Sequence, residues 1–596
     1  MQLHWIDISI IFLYLTLTLL IGFWVAKRAT RDLKSYFLGG NVLPWYVLGV
    51  SDASGMFDVT GTMWLVYVTF VYGLKGVFIP WLWPVFNQIF LMVFLSTWLR
   101  RSNAMTGAEW LKTRFGTGRG ATLSHIIIVV FAMVSVIGFL AYDFKGIGKF
   151  AATFLPWQLS PDTYAVILMS ITTIYVIKGG MFSVVLTELA QFCIMVIASL
   201  AVGVIAINQV DPAMLNNVLP AGWKSIFFGW HLNLDWSGIL DSVNAKIAAD
   251  GYSLFAIFWG MMVFKGTLVS MAGPAPNYDM QRILSTRSPK EAAKMNAFVS
   301  VVLFFPRYML IAGLTVLALA YFMPQLRGMG ADLDFELILP YALGNFVPIG
   351  LLGILMAGLL AAFMSTFAAT VNAAPAYLVN DIYKRFINPN ADSKTLIRMS
   401  YLCSFGVVVV GVSFGFFVES INSVTQWIVN ALWGGYTAAN VLKWYWWRFN
   451  GYGYFWGMLT GIAASLITPL VAPLSPTIYQ FPLIFAASLA GCFIATFATQ
   501  PDDMEVLKSF YKQVRPWGFW KPVHELVVAE HPDFKANRNF KRDMFNVVIG
   551  IIWQTSLVAL PICLVIQEKM FVLYDTIVLI TTSLILKHTW YDKLED

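Results

Sequence analysis

The sequence predicts an all-α polytopic membrane protein whose core is two inverted repeats of five helices, and three observations predict it. The 596 residues are 58% apolar and only 12% charged, with a mean hydropathy of +0.70. A soluble chain of this length has no interior large enough for so much apolar surface, so the bilayer is its solvent. Apolar runs of roughly 17 or more residues recur from end to end, about fifteen in all. Two of them, the second and the seventh, carry glycine, proline and charge in their middles and lie five spans apart. Two five-helix repeats behind one extra N-terminal helix place interrupted helices in that relation.

The runs fall at about 6–26, 44–73, 77–99, 121–149, 161–178, 181–207, 252–278, 291–323, 347–373, 396–418, 424–446, 453–473, 478–499, 543–566 and 569–588. The first lacks a basic leader and a small-residue cleavage site, so it reads as a retained helix rather than a signal peptide. With the N-terminus outside, 30 of the 39 Lys and Arg lie in or beside inside loops, 7 lie in or beside outside ones, and Lys265 and Arg307 lie within spans. Basic residues concentrate on the cytoplasmic side, so the expectation is a multi-pass protein of the plasma membrane, a bacterial inner membrane, with N-terminus outside and C-terminus inside.

This divides the chain into an extra helix and first loop at 1–35, a core at 36–450 and two accessory helices at 451–500. The core's repeats run over about 36–207 and 252–450. Residues 501–542 form an inside segment, and 543–596 hold two final helices and a tail. Residues 208–250, outside and rich in Asn, Asp and Trp, suit a lid or an interfacial hairpin. Pro501-Asp502-Asp503-Met504-Glu505 reads as a helix start. Met504, Leu507, Phe510, Tyr511 and Val514 then share one face, an amphipathic helix lying on the bundle or the membrane, and Arg515-Pro516-Trp517-Gly518 ends it.

Several function classes drop out. A net charge of +7 reflects basic loops rather than nucleic-acid binding. Cys193, Cys403, Cys492 and Cys563 lie in apolar runs without ligand-like spacing, so neither a disulfide framework nor a zinc site is expected. No Gly-x-x-x-x-Gly-Lys-Ser/Thr loop is present, and His524-Glu525 is followed by Val528 where a zinc helix needs histidine, so the chain does not read as an enzyme. The bilayer and a small organic solute are the expected partners, with no obligatory protein partner evident.

Three places carry the chemistry. Residues 358–375, wound as a helix, put Ala362, Ser365, Thr366, Ala369, Asn372 and Ala373 on one face and Leu359, Phe363, Met364, Phe367 and Val371 on the other. Small hydroxylated faces serve close helix packing, or they offer a hard cation the oxygen ligands it prefers. The second span contains Ser51-Asp52-Ala53-Ser54-Gly55-Met56-Phe57-Asp58-Val59-Thr60-Gly61, and the seventh contains Gly260, Lys265, Gly266, Gly273, Pro274 and Pro276. Both read as interruptible near the membrane midplane, where freed carbonyls and helix ends meet an ion or solute. Asp52, Asp58, Glu188, Lys265 and Arg307 each cost roughly 2.5–3.5 kcal/mol inside a span. Mutual pairing, Asp58 with Lys265 for example, or snorkelling is the bland account, and Arg307 is read that way. Five together favour a polar pathway.

Several motifs resemble the sodium/solute symporters, the family of the sodium/glucose and sodium/proline cotransporters. They are Tyr36-Phe37-Leu38-Gly39-Gly40 with Leu43-Pro44-Trp45, Gly179-Gly180 with Thr187-Glu188 and Gln191, and Gln281-Arg282 with Lys290-Glu291-Ala292. Met364-Ser365-Thr366 with Asn380-Asp381-Ile382-Tyr383-Lys384, and Trp444-Tyr445-Trp446-Trp447-Arg448-Phe449-Asn450-Gly451, complete them. The tail from Phe510-Tyr511 to Trp520 resembles a longer bacterial subset. The resemblance implies a LeuT-type bundle and a sodium ion held by the hydroxyls of Ser365 and Thr366 and the carbonyls of Ala362, Ser54 and Phe57. Glu188 stands where many members carry Asp, and is the candidate for a second ion or for tuning the first.

Three departures bear on the solute. The family's polar position in the broken second helix falls on Met56, with Asp58 two residues later. The aromatic lid that sugar carriers place in the seventh helix falls on Met271, Ala272 and Gly273, so a galactose-type sugar loses support. Lys265 and Arg307 offer a carboxylate a partner instead. Asp52, Met56, Asp58, Thr60, Lys265, Met271 and Ala272 are thus the candidate substrate residues. The expected function is sodium-coupled import of a sugar, sugar acid or amino acid by alternating access. Proton coupling through Glu188 or Asp58, and a transporter-like membrane sensor, are the alternatives.

Overall fold

The second apolar run breaks where its sequence is richest in glycine, hydroxyl and acid. In the computed structural model, which describes every residue except 1–2, 30–32, 84, 156, 277, 331–332, 340–348, 419, 473–475 and 596, α1 (Trp5–Ala29) leads to α2 (Trp45–Met56) and α3 (Val59–Tyr72). The last two belong to one span bent by 63°. Phe57 leaves helical geometry at φ −87°, ψ 73°. Asp58 then caps α3, its carboxylate accepting the Gly61 N–H at 2.6 Å. An acid there satisfies a first-turn donor and meets the positive end of the helix dipole.

The expected span at 77–99 is assembled from pieces. Turns over Gly73–Val77 and Ile79–Leu82, where Pro80 has no N–H to give, precede Asn87–Phe90, a π-helical turn Leu91–Leu95 and α4 (Ser96–Arg101). Then come α5 (Gly107–Phe115) and α6 (Arg119–Phe154).

Where the sequence predicts two spans, 161–178 and 181–207, α7 (Pro161–Gln209) stays helical for 49 residues. Drawn straight it would be about 73 Å long, against about 30 Å of hydrocarbon. Its two ends nevertheless return to one side. Pro161 backs onto Gly148, beside Lys149, and the Gln209 carbonyl accepts the Tyr321 hydroxyl, six residues before Arg327. Lys149 and Arg327 line a single cavity of about 1000 Å³. The chain therefore reverses within α7, its second arm being the membrane-length stretch Met181–Gln209.

The segment after α7 closes over the end of α3. Trp223 and Trp236 are fully buried and donate their indole N–H groups to the Phe70 and Val71 carbonyls at 2.9 and 3.2 Å. Asp250 accepts the hydroxyls of Tyr67 and Tyr72.

The second break lies at the far end of α8 (Phe255–Met271), before α9 (Tyr278–Ser285). Gly260, Lys265 and Gly266 remain within α8. The chain opens at Gly273, whose φ of +86° suits only glycine at no cost, with Pro274 and Pro276 beside it. α10 (Pro289–Tyr321) follows, its start marked by Pro289 and by the Ser288 hydroxyl accepting the Glu291 N–H at 3.3 Å.

α11 (Leu351–Pro375), extended as a π-helix over Ala376–Ile387, is the axis of the bundle. The most apolar part of this stretch is 89% buried, the highest share of any long apolar helix described, packed on α1, α2, α6 and α7. α12 (Ser393–Gly415), α13 (Trp433–Tyr445), α14 (Gly451–Val471) and α15 (Phe481–Ala498) complete this part. Gly435 of α13 and Gly461 of α14 bring their backbones into contact, which any side chain would prevent.

Beyond it, α16 (Met504–Val514) buries Leu507, Phe510, Tyr511 and Val514 against α5 and Trp520, so this amphipathic face lies on the bundle. Arg515, at φ +55°, ends it. α17 (Lys521–Glu530), α18 (Phe540–Val565) and α19 (Lys569–Thr589) follow. Among the described residues eight helices are long and apolar enough to cross a membrane, or ten if each of two bent pairs is one span. Pieces such as those at 77–99 account for part of the difference from the expected fifteen.

Candidate functional site

α11 meets the first break through two neighbouring hydroxyls. Ser365 Oγ donates to Ser54 Oγ at 2.9 Å, and Thr366 Oγ1 donates to the Gly55 carbonyl at 2.7 Å, with the Ala362 carbonyl 3.2 Å away. All five residues are buried. Three hydroxyls and the carbonyls of Gly55 and Ala362 thus converge between a continuous helix and a helix end, an all-oxygen set that fits a hard monovalent cation.

Of the carbonyls in this turn, the one that meets Thr366 is that of Gly55. The Ser54 carbonyl, with that of Ala53, closes the helix on the Phe57 N–H at 3.2 and 3.0 Å, and Gly55 presents its own to Thr366. Phe57 turns its ring beneath the Arg307 guanidinium, 5.6 Å from the centroid.

Glu188, from the second arm of α7, lies directly behind Ser365. Its Oε1 accepts from Arg282 Nη2 at 2.6 Å and lies 3.2 Å from Ser365 Oγ, and its Oε2 accepts from Ser51. Arg282, at the end of α9, also donates Nε to Ser51 at 3.0 Å, and its Nη1 lies 3.7 Å from Asp52 Oδ1. Two carboxylates therefore flank one guanidinium, all fully buried. The Glu188 carboxyl, 3.2 Å from the Ser365 hydroxyl, adds a further oxygen to the set. Arg282 is the residue that the sequence argument used only as a motif; a guanidinium just past the second break was its one signal.

A cavity of about 200 Å³ opens beside this cluster, with Thr366 on its wall. Met56 and Asp58 line it from the break, and Arg307 and Tyr142 face them. Arg307 donates Nη2 to Asp58 Oδ1 at 2.8 Å and Nη1 to the Met56 carbonyl at 2.9 Å, and Tyr142 donates to Asp58 Oδ2 at 2.6 Å. Asn87, Gln88 and Trp64 add amide and aromatic surface. Arg307 thus pairs inside the protein, and Asp58 pairs with it rather than with Lys265.

Five of the expected substrate residues lie off this cavity. Lys265 is buried on α8 and gives its ammonium to the Leu82 carbonyl at 2.5 Å. The Met271 and Ala272 carbonyls, freed by the second break, are taken by Tyr445 and Trp444 of α13, each at 3.1 Å. Thr60 packs against Gly146 of α6, and Asp52 belongs to the Arg282 cluster. Trp64, Trp83, Phe139 and Trp433, none of them near residues 271–273 in the sequence, line this cavity.

Residues 36–461 match the model of the Sodium:solute symporter family. The sodium/mannose cotransporter of Bos taurus is 25% identical over 511 residues, covering 80% of this chain and 81% of that protein. The high-affinity proline transporter PutP of Bacillus subtilis is 28% identical over 520 residues, covering 83% and 98%. Among solved structures, that of a Na+-coupled sialic acid symporter in a substrate-bound outward-open state aligns with a TM-score of 0.67 at 17% identity, over 84% of this chain and 99% of that one, a likeness of fold. Motifs, broken helices and the matched span lead to one conclusion: the chain belongs to the sodium:solute symporter family and is a sodium-coupled cotransporter of a small solute.

Proposed function

We propose that the chain imports a small polar organic solute, a sugar, sugar acid or amino acid, across a bacterial inner membrane. The N-terminus is outside and the C-terminus inside, and the core at 36–450 carries the transport cycle. The contact of Ser365 and Thr366 with Ser54 and Gly55 carries this reading. Sodium sits among these oxygens with the Ala362 carbonyl, Phe57 closing the same turn, and ties α2 to α11. The solute occupies the adjoining cavity between Asp58 and Arg307, against Met56 and Trp64.

The cycle needs no covalent chemistry. An ion bridging a broken helix and a continuous one favours one arrangement of the two, and its release frees α2 to tilt relative to α11. A negative interior adds about 2.3 kcal/mol per charge for each 100 mV. Glu188 supports the sodium site from behind. Its direct ion pair with Arg282 is reason to favour sodium over a proton carried by Glu188. The names of the relatives, which include mannose, glucose, myo-inositol and proline carriers, support the breadth of the solute class.

Uptake by purified protein in liposomes tests the proposal, with a panel of these solutes at one pH. An inward sodium gradient should drive accumulation of at least one, and choline should not. Accumulation driven equally by a proton gradient in choline would replace sodium with the proton.

A further inference from the structure

Five of the six Lys and Arg side chains around one cleft lie beyond residue 461, where the family match ends. The cleft measures about 740 Å³ and is walled by the ends of α4 and α16, residues 534–539, the start of α18 and the turn after α19. Arg101, Arg515, Lys535, Arg538, Arg542 and Lys593 line it, against the acids Asp543 and Glu595.

A basic cluster is ordinarily a solvated face. Here the cations converge from five separate segments on a concave space, and their charges are only partly met. Asp543 is engaged by the Trp517 indole at 3.0 Å and by Arg542 at 3.5 Å. Arg542 Nε is buried without a hydrogen-bond partner. Arg515 lies over the Phe534 ring and Arg101 donates to the Val514 carbonyl at 3.1 Å, so neither guanidinium is neutralised by these contacts. Burial and the neighbouring Arg515 push the Arg101 guanidinium below its ordinary value, with Glu595 acting the other way. Apolar Val93, Phe94 and Trp590 line the same cleft, and the adjacent α19 is almost wholly uncovered by protein.

We propose that this cleft binds a phosphate-bearing anion, held by the guanidinium and ammonium groups of Arg101, Arg515, Lys535, Arg538, Arg542 and Lys593. Guanidinium forks match phosphate oxygens two at a time, and an excess of four positive charges suits a ligand with more than one negative oxygen. In the proposed orientation the cleft faces the cytoplasm, where both anionic headgroups and free phosphate compounds occur. Bound there, the anion ties Arg101 of the core to the C-terminal extension.

The test uses full-length protein in a neutral detergent, at constant ionic strength. Thermal unfolding and binding are followed with phosphatidylglycerol, with phosphatidylcholine, and with sodium pyrophosphate. Stabilisation by phosphatidylglycerol and not phosphatidylcholine is expected, and the triple variant K535Q/R538Q/R542Q should weaken that binding by about tenfold or more. Displacement of phosphatidylglycerol by pyrophosphate would identify the phosphate as the recognised group and admit a free ligand; no displacement would identify the lipid headgroup. The ligand-free melting temperature checks that the variant is folded. Should the triple variant not fold, Arg538→Gln alone, at an exposed side chain, should still weaken binding severalfold. Equal effects of the two lipids with no pyrophosphate binding, or unchanged binding in a folded variant, would overturn the site.

Discussion

The hydroxyl of Ser365 lies 2.9 Å from that of Ser54, although 311 residues separate them. One belongs to the unbroken helix at the centre of the bundle, the other to the last turn before the 63° break. With Thr366 on Gly55, this is where a small ion can couple two elements that must move apart.

Ser54→Ala should therefore weaken sodium more than it weakens the fold. Loss of one hydroxyl contact to a charged ligand costs about 1.5–3 kcal/mol, or roughly 10–100-fold in affinity. A sodium titration of solute uptake reads the shift, while the melting temperature without sodium stays near that of the native protein.

The Glu188–Arg282 pair should behave as a buried ion pair. Glu188→Gln takes from Arg282 the carboxylate 2.6 Å away, while that of Asp52 stays at 3.7 Å, and removing one partner of such a pair costs about 3–5 kcal/mol. The double variant E188Q/R282Q, with neither charge, should recover part of that loss in a thermal melt. A double variant as unstable as the sum of the singles would mean that the two do not act together.

Asp58→Asn separates charge from capping. Asparagine caps a helix about as well as aspartate, so α3 should keep its start, while Arg307 and Tyr142 lose their carboxylate partner. The expected result is a KM for solute raised by about tenfold or more, with a lowered melting temperature because the Arg307 guanidinium loses its ion-pair partner. Asp58→Ala should lose a further ~1 kcal/mol of stability.

Asp502 predicts a pH dependence outside the membrane. Burial pushes its carboxyl up to about 6, although Arg114 lies 3.8 Å away and pulls it down. Because an unfolded Asp titrates near about 3.9, the folded form binds the proton more tightly. This contribution to stability is therefore greatest at low pH, declines as pH rises through about 4 to 6, and is flat above. Asp502→Asn should remove the slope and stabilise the protein at pH 7 by about 1–3 kcal/mol. Arg114 keeps its bonds to the Lys443, Trp446 and Phe449 carbonyls in that variant. Melting curves of both proteins from pH 4.5 to 8 give the difference.

What the sequence revealed depended on how local the cause was. The first break was legible because its causes are neighbours: Ser51, Ser54 and Gly55 favour a helix weakly, and Asp58 starts another three residues before the glycine that it caps. The small face of α11 was legible because Ser365 and Thr366 announce oxygen whatever they touch. The second break was legible in kind, through Gly273 and its prolines, but the fate of its carbonyls was not. Tyr445 and Trp444, more than 170 residues away, take those of Met271 and Ala272.

Charge partners were legible only as a set. Composition announced that acids and bases inside spans needed one another, and Asp58 found Arg307, 249 residues on, instead of Lys265. The choice of Gly55 over Ser54 as the carbonyl facing Thr366 turns on a single residue of helical phase. That phase is set by where Phe57 closes the turn, which only the packed structure decides.

The central claim is that sodium is held where Ser365 and Thr366 meet Ser54 and Gly55. Direct sodium binding to purified protein, wild type against S365A/T366A, tests it most directly, with solute binding measured in sodium and in choline alongside. The account predicts saturable sodium binding in the wild type, solute binding that requires it, and loss of both in a double variant that still folds. Unchanged sodium affinity in that variant would contradict it and would leave these hydroxyls as helix packing.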